Sequence, residues 1–140
     1  MAKFKIPVDL KSVSTEWPIA PAGTYPSVIK TAELKMSKRT NNPMVVLGLH
    51  PMQPLTCMAG QNQVIVEPSR EKPLWNFYIV LTEAGAISQK QIEQAIGATW
   101  NMGQEIDTTE LIGKQLNVTV SVETGDNGKP QQNIQNVSRL

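Results

Sequence analysis

Gly23-Thr24-Tyr25-Pro26-Ser27-Val28-Ile29-Lys30-Thr31-Ala32-Glu33-Leu34-Lys35-Met36 is the stretch on which the fold turns. Thr24, Tyr25, Val28, Ile29 and Thr31 suit a pleated surface. From Val28 onward the even positions Val28, Ala32, Leu34 and Met36 are apolar, with Lys30 the exception. The odd positions Thr31, Glu33 and Lys35 are polar. Alternation at period two predicts a half-buried strand. This one is long enough to bend around a barrel.

Downstream, residues 37–43 (Ser-Lys-Arg-Thr-Asn-Asn-Pro) carry strong turn chemistry. A second strand follows over residues 44–50. Val45, Leu47 and Leu49 share its core face; Met44, Val46, Gly48 and His50 share the other. Residues 51–73 are broken by Pro51, Pro54, Pro68 and Pro73, with a short strand inside at residues 63–67. A third strand covers residues 75–81. Trp75, Phe77, Ile79 and Leu81 lie on one face, Asn76, Tyr78 and Val80 on the other. Ser88 and Gln91 form a capping-box pattern, Ile87 and Ile92 take the staple positions, and Gly97 ends the helix. A shorter helical turn is expected at residues 108–112, capped by Asp107. A fourth strand alternates Leu116, Val118, Val120 and Val122 with Asn117, Thr119, Ser121 and Glu123. Gly125-Asp126-Asn127-Gly128 makes a turn, and a final strand covers residues 132–137. Upstream, residues 1–22 read as an irregular lead-in, because Pro18 and Pro21 bias Trp17 and Ala20 toward extended geometry. Trp17 and Tyr25 are assigned to packing.

The 140 residues suit one domain, here residues 23–140 after the lead-in. Cys57 is the only cysteine, so no internal disulfide is available, which suits a reducing cytoplasm. No segment reaches the ~18–20 apolar residues that cross a bilayer, and the N-terminus lacks the apolar run of a signal peptide. A cytoplasmic location without membrane contact is expected. The net charge is only +1, unlike a protein that coats duplex DNA by charge alone. The charge is uneven, however. Residues 1–50 hold seven Lys/Arg against Asp9, Glu16 and Glu33.

The order strand, strand, strand, helix, strand, strand fits a mainly β fold: a five-stranded, partly open barrel of the oligonucleotide-binding (OB) type, with one helix between strands 3 and 4. An α+β sandwich fits the same order almost as well. Pro21-Ala22-Gly23-Thr24-Tyr25, residues 32–38 (Ala-Glu-Leu-Lys-Met-Ser-Lys) and Asn42-Pro43-Met44 before an aliphatic strand carry a further signal. So do Leu111-Ile112-Gly113-Lys114 before a valine-rich strand, and residues 133–137 at the end. Together they resemble a phage-encoded family of single-stranded DNA-binding proteins of replication and recombination modules, over residues 20–140. The resemblance implies an OB barrel, sequence-tolerant binding of single strands, and work in an infected bacterial host's cytoplasm beside phage replication or recombination proteins. RNA stays open as a ligand. The chain ends Asn136-Val137-Ser138-Arg139-Leu140, without the acidic tail by which many such proteins recruit partners.

Catalytic signals are absent: there is no His-rich cluster, no cysteine pair and no phosphate-cradling glycine loop. Neither enzyme activity, cofactor nor metal is expected. Asp107 and Glu110 read as a cap and a first-turn charge. A single-strand binder needs a positive groove for the backbone and π-faces for bases. Lys35, Lys38, Arg39 and Asn41 supply a polar-basic loop. Tyr78 and His50 are the preferred stacking residues, Gly48 lets a base approach, and Trp75 is a core residue that a shifted register would turn outward. Trp100 is either a loop-borne stacker or a lid on the barrel. The competing expectation is a protein-interaction or structural β-barrel of a phage that binds no nucleic acid.

Overall fold

Residues Gly23–Met36 form a single fourteen-residue strand, β1, in the computed structural model, which describes residues 2–7, 17–38, 41–126, 128 and 130–140. β1 serves two neighbours in turn. Residues 23–28 pair antiparallel with β6 (Gln115–Thr124), and residues 27–36 pair antiparallel with β2 (Pro43–Pro51). A bulge marks the changeover: Ile29 opposes Leu49 and Thr31 opposes Gly48, which leaves Lys30 without a partner. An extra residue bends the strand and shifts the phase of its side chains. Ser27 and Ile29 are fully buried before the bulge, and Ala32 packs against the core after it. The even-position alternation therefore holds only past Lys30. Val28 belongs to the opposite phase, and Lys30, the exception in the pattern, is the bulge itself.

The sheet order is β5-β2-β1-β6-β7, with β5 at Trp75–Val80 and β7 at Pro130–Ser138. The edge strands β5 and β7 line one cleft together, so the sheet curls into a nearly closed, five-stranded OB-fold-like barrel. Helix α1 (Ala86–Ala95) packs against both β5 and β7 and sends Ile92 and Ala95 into the core. Inside, Ile29, Leu47, Leu49, Leu116 and Val118 are fully buried. Each contributes about 1.5–3 kcal/mol by leaving water.

One strand, β3 (Leu55–Ala59), enlarges the expected set, and the short strand expected at residues 63–67 is β4 (Asn62–Val66). The two form a separate hairpin, turning at Gly60 with φ 64°. The helix position differs from the expected one, since α1 follows the fifth strand of the chain and not the third; counted within the five-stranded sheet alone, it falls after the third strand. Its start also differs. The sequence places the cap at Ser88, but a 3₁₀ turn at Glu83–Gly85 runs directly into α1, so helical geometry is set before Ser88 and no side chain caps the helix. Gly85 is required there, because a Cβ would run into the Val80 carbonyl oxygen. The other end matches expectation. Gly97 has φ 71°, its N–H donates to the Gln94 carbonyl, and the Ala98 N–H donates to the Glu93 carbonyl. Leu81 leaves the expected core face, since β5 ends at Val80 and Leu81 lies exposed beyond it.

Trp17 and Ile19 of the lead-in are tied to the rest of the fold. The Trp17 indole N–H donates to the Leu74 carbonyl at 3.2 Å, under the Arg70 guanidinium 4.8 Å away. Ile19 bridges to Met58 on β3.

Candidate nucleic-acid interface

Strand register decides which side chains meet. Across β1, β2 and β5 the aligned sets are Thr31–Gly48–Asn76, Glu33–Val46–Tyr78 and Lys35–Met44–Val80. Directly opposed strand residues share a face, and successive ones alternate. The neighbouring sets contain Leu47, Phe77 and Ile79, which are core. The three aligned sets therefore form the outer face of the barrel. There a hollow is lined by Tyr78, Asn76, Val46, Thr31, Lys35 and Lys38. Tyr78 is 53 % exposed, so its ring is open to solvent.

The loop from β1 to β2 sets one wall. The Ser37 N–H donates to the Asn42 carbonyl at 2.7 Å, and the Asn41 N–H to the Ser37 carbonyl at 2.8 Å. Asn41 takes φ 54°, a left-handed conformation that asparagine tolerates better than most residues. It is exposed and acts in the turn, while Lys38 reaches the hollow. Arg39 lies outside the described residues. Lys35 Nζ stands 3.0 Å from the Glu33 carboxylate, both well exposed. Such an exposed pair is worth about 0–1 kcal/mol and is easily exchanged for another partner.

Gly48 and His50 share the outer face, as the alternation predicts, but they are corrections to the expected site. Residues 67–73 return from β4 to β5 as a strap across this part of the sheet. Pro73 covers Gly48, where a Cβ would collide with the proline ring and with Thr31 Oγ1. No base can approach there. His50 is fully buried, with Nε2 2.7 Å from the Glu67 carbonyl oxygen. Nε2 therefore carries the hydrogen and donates, and Nδ1 has no partner among the described residues. Burial, helped by Lys30 and Arg70, pushes the His50 pKa below its ordinary value, although the Glu67 bond opposes this. The ring is neutral and inaccessible, so it cannot stack on a base. Lys30 ties the strap down by donating from Nζ to the carbonyls of Pro68 and Arg70.

Trp75 lies inside, at 3 % exposure, stacked on Tyr25 with ring centroids 5.8 Å apart. It belongs to the core and not to the interface. Trp100 packs against the core, and its backbone N–H donates to the Glu93 carboxylate, which makes it a lid beside α1. The alternation that named Tyr78 also held the signal for Thr31 and Val46.

Other chemistry finds little support. Among the described residues no group of three or more His, Cys, Asp or Glu side chains gathers as metal ligands would. Burial pushes the Cys57 thiol pKa up, opposite to what a nucleophile needs. The Asp107 carboxylate accepts from the Thr109 N–H and hydroxyl as a cap, which holds its pKa low. Among the described residues no helix is long and apolar enough to cross a membrane.

A family model described as "Protein of unknown function (DUF669)" matches residues 6–140. No curated protein matches the chain.

Proposed function

Given that the chain belongs to the DUF669 family, we propose that it is a sequence-tolerant single-stranded DNA-binding protein that uses the outer face of β1, β2 and β5. The observation that carries this is the exposed Tyr78 ring in a hollow walled by Lys35 and Lys38. An unpaired base stacks on the phenol ring, and the ammonium groups meet the flanking phosphates. Thr31 and Asn76 offer hydrogen bonds beside them. Every base has a π-face, so such a site tolerates sequence. Paired bases hide their faces, so duplex is excluded from stacking. Catalysis has no part in this proposal. The phage replication or recombination setting, and phage proteins as partners, rest on the sequence resemblance alone.

Fluorescence anisotropy with labelled single-stranded homopolymer, duplex DNA and RNA tests the proposal. Single strands should bind more tightly than duplex. Equal or tighter duplex binding would overturn it. A protein-interaction module is the second proposal, favoured by the net charge of +1 and by the exposed Leu34 and Met36. Absence of any single-strand binding at low salt selects it.

A further inference from the structure

The β1 strand outlasts its neighbour. On the β6 side its last backbone bonds are Ile29 N–H to the Lys114 carbonyl, 2.9 Å, and Gly113 N–H to the Ile29 carbonyl, 2.8 Å. Residues 31–36 then pair with β2 alone, and among the described residues nothing pairs with their other edge. The groups facing that edge follow from the alternation of an antiparallel ladder. The Ser37 N–H points toward β2, since it donates to the Asn42 carbonyl. Pro43, opposite Met36, turns its carbonyl away to the Leu81 N–H. Met36 therefore aims its own N–H and C=O at the open edge, and by the same alternation so do Leu34 and Ala32. Leu34 and Met36 are also 64 % and 53 % exposed. An unpaired strand edge with apolar side chains is a template for another strand.

We propose that the occupant is a second copy of this chain, whose β1 pairs antiparallel about a two-fold axis at Leu34. The charge pattern selects both partner and register. Donors and acceptors meet only if Ala32, Leu34 and Met36 oppose one another. Centring the axis on Glu33 sets Glu33 against the partner's Glu33, and centring it on Lys35 sets Lys35 against the partner's Lys35. Like charges directly opposite are destabilising. Centred on Leu34, Glu33 faces the partner's Lys35 and Lys35 faces the partner's Glu33. Leu34 then meets the partner's Leu34, Ala32 meets the partner's Met36, and Thr31 meets the partner's Ser37. The ion pair that Glu33 and Lys35 make within each chain, two in all, is exchanged for two across the axis. The β5-β2-β1 half of each barrel thereby joins one continuous sheet. So short a seam buries less than a standard interface, so the dimer forms reversibly with concentration.

Sedimentation velocity over the micromolar range tests this, with thermal unfolding as the check on folding. The wild type should move from monomer to dimer as concentration rises. Glu33→Lys and Lys35→Glu should each remain monomeric, the double exchange should dimerise again, and an equimolar mixture of the two single variants should form a heterodimer. If a single variant fails to fold, Leu34→Cys supplies the readout. The Cα atoms of a hydrogen-bonded antiparallel pair lie about 5.5 Å apart, within disulfide reach, and the native Cys57 is buried. Mild oxidation should therefore link two chains. A wild type that stays monomeric, single variants that dimerise like the wild type, or a Leu34→Cys protein that does not cross-link would each overturn the proposal.

Discussion

Truncating Trp75 and Tyr78 separately asks whether β5 faces the way its register implies. Trp75 is 3 % exposed and stacked on Tyr25. A large aromatic hides about 150–250 Å², so truncation to alanine forfeits roughly 4–6 kcal/mol of burial at about 25 cal/mol per Å². Losing the stack adds about 0.5–1.5 kcal/mol. One contribution opposes these. The Trp75 indole nitrogen has no acceptor among the described residues, and removing a buried orphan donor returns about 1–3 kcal/mol. These contributions leave a net cost for Trp75→Ala of about 2–6 kcal/mol, centred on the roughly 3–5 kcal/mol usual for such truncations and a large part of the roughly 5–15 kcal/mol that holds a domain folded. Trp75→Phe keeps a ring and sheds the orphan donor, so it should cost only about 1 kcal/mol. Tyr78→Ala removes an exposed ring and should change stability by less than about 0.5 kcal/mol. It should weaken single-strand binding by about 1–3 kcal/mol. Urea unfolding and oligonucleotide anisotropy on all three variants decide it. If Trp75→Ala unfolds like the wild type but loses affinity, the inward and outward faces of β5 have been exchanged. If Tyr78→Ala binds undiminished, the ligand does not lie on this face.

Replacing Lys35 and Lys38 with alanine should lower the salt slope of single-strand binding by about 1.4, or roughly sevenfold less weakening between about 50 and 200 mM salt; an unchanged slope removes both from the phosphate track. His50 predicts a pH dependence. Its folded pKa lies below the ordinary 6.5, chiefly through burial, so the unfolded chain takes up a proton that the fold resists. Its contribution is complete above about pH 6.5 and is lost as pH falls toward the folded pKa. The unfolding midpoint should therefore drop between about pH 7 and pH 5, less steeply in His50→Gln, and equal slopes in both proteins would rule His50 out as the cause. Gly85→Ala should destabilise more than Gly48→Ala, because it meets a backbone carbonyl whereas Gly48 meets side chains; overpacking costs about 1–3 kcal/mol, and the reverse ranking by urea unfolding would contradict the packing described.

What the sequence revealed and what it hid divide along one physical line. Period-two alternation is local, so β1, β2, β5 and β6 were legible, as was the placing of Tyr78 and Asn76 opposite Trp75 and Phe77. The same logic put Gly48 and His50 on the outer face, where they are. It could not show that residues 67–73 cross over them, because a strap held by Lys30 and Pro73 has no period. The hairpin of β3 and β4 was half seen, since prolines at 51 and 54 mask the start of β3. Ser88 misled because a capping box reads only the residues inside it, and the 3₁₀ turn that pre-empts it lies upstream. The bulge was invisible for a different reason. An unpaired residue exists only relative to a partner strand, and one strand's sequence holds half of that comparison.

That bulge nevertheless organises the candidate site, and Lys30 lets its two effects be separated. By adding one residue to β1, it sets Ala32 inward and Thr31, Glu33 and Lys35 outward from that point. Its ammonium meanwhile holds the strap over Gly48 and His50. The open face is thereby limited to about six residues of β1, or about 20 Å, which suits the low end of the ~4–16 nucleotides that an OB barrel covers. Lys30→Met keeps the extra residue and removes the ammonium. It should loosen the strap, so that limited proteolysis at residues 67–73 speeds up while the barrel stays folded. Deleting Lys30 removes the extra residue itself. A one-residue slip sends an entire row of side chains to the other face, so either Ala32, Leu34 and Met36 turn outward or the pairing with β2 breaks. Deletion should therefore cost far more stability than Lys30→Met, and it should abolish single-strand binding even under conditions where the protein still folds. If the deletion variant unfolds at the same urea concentration as Lys30→Met and binds as well, the bulge does not set the phase of β1, and the outer face must be assigned anew.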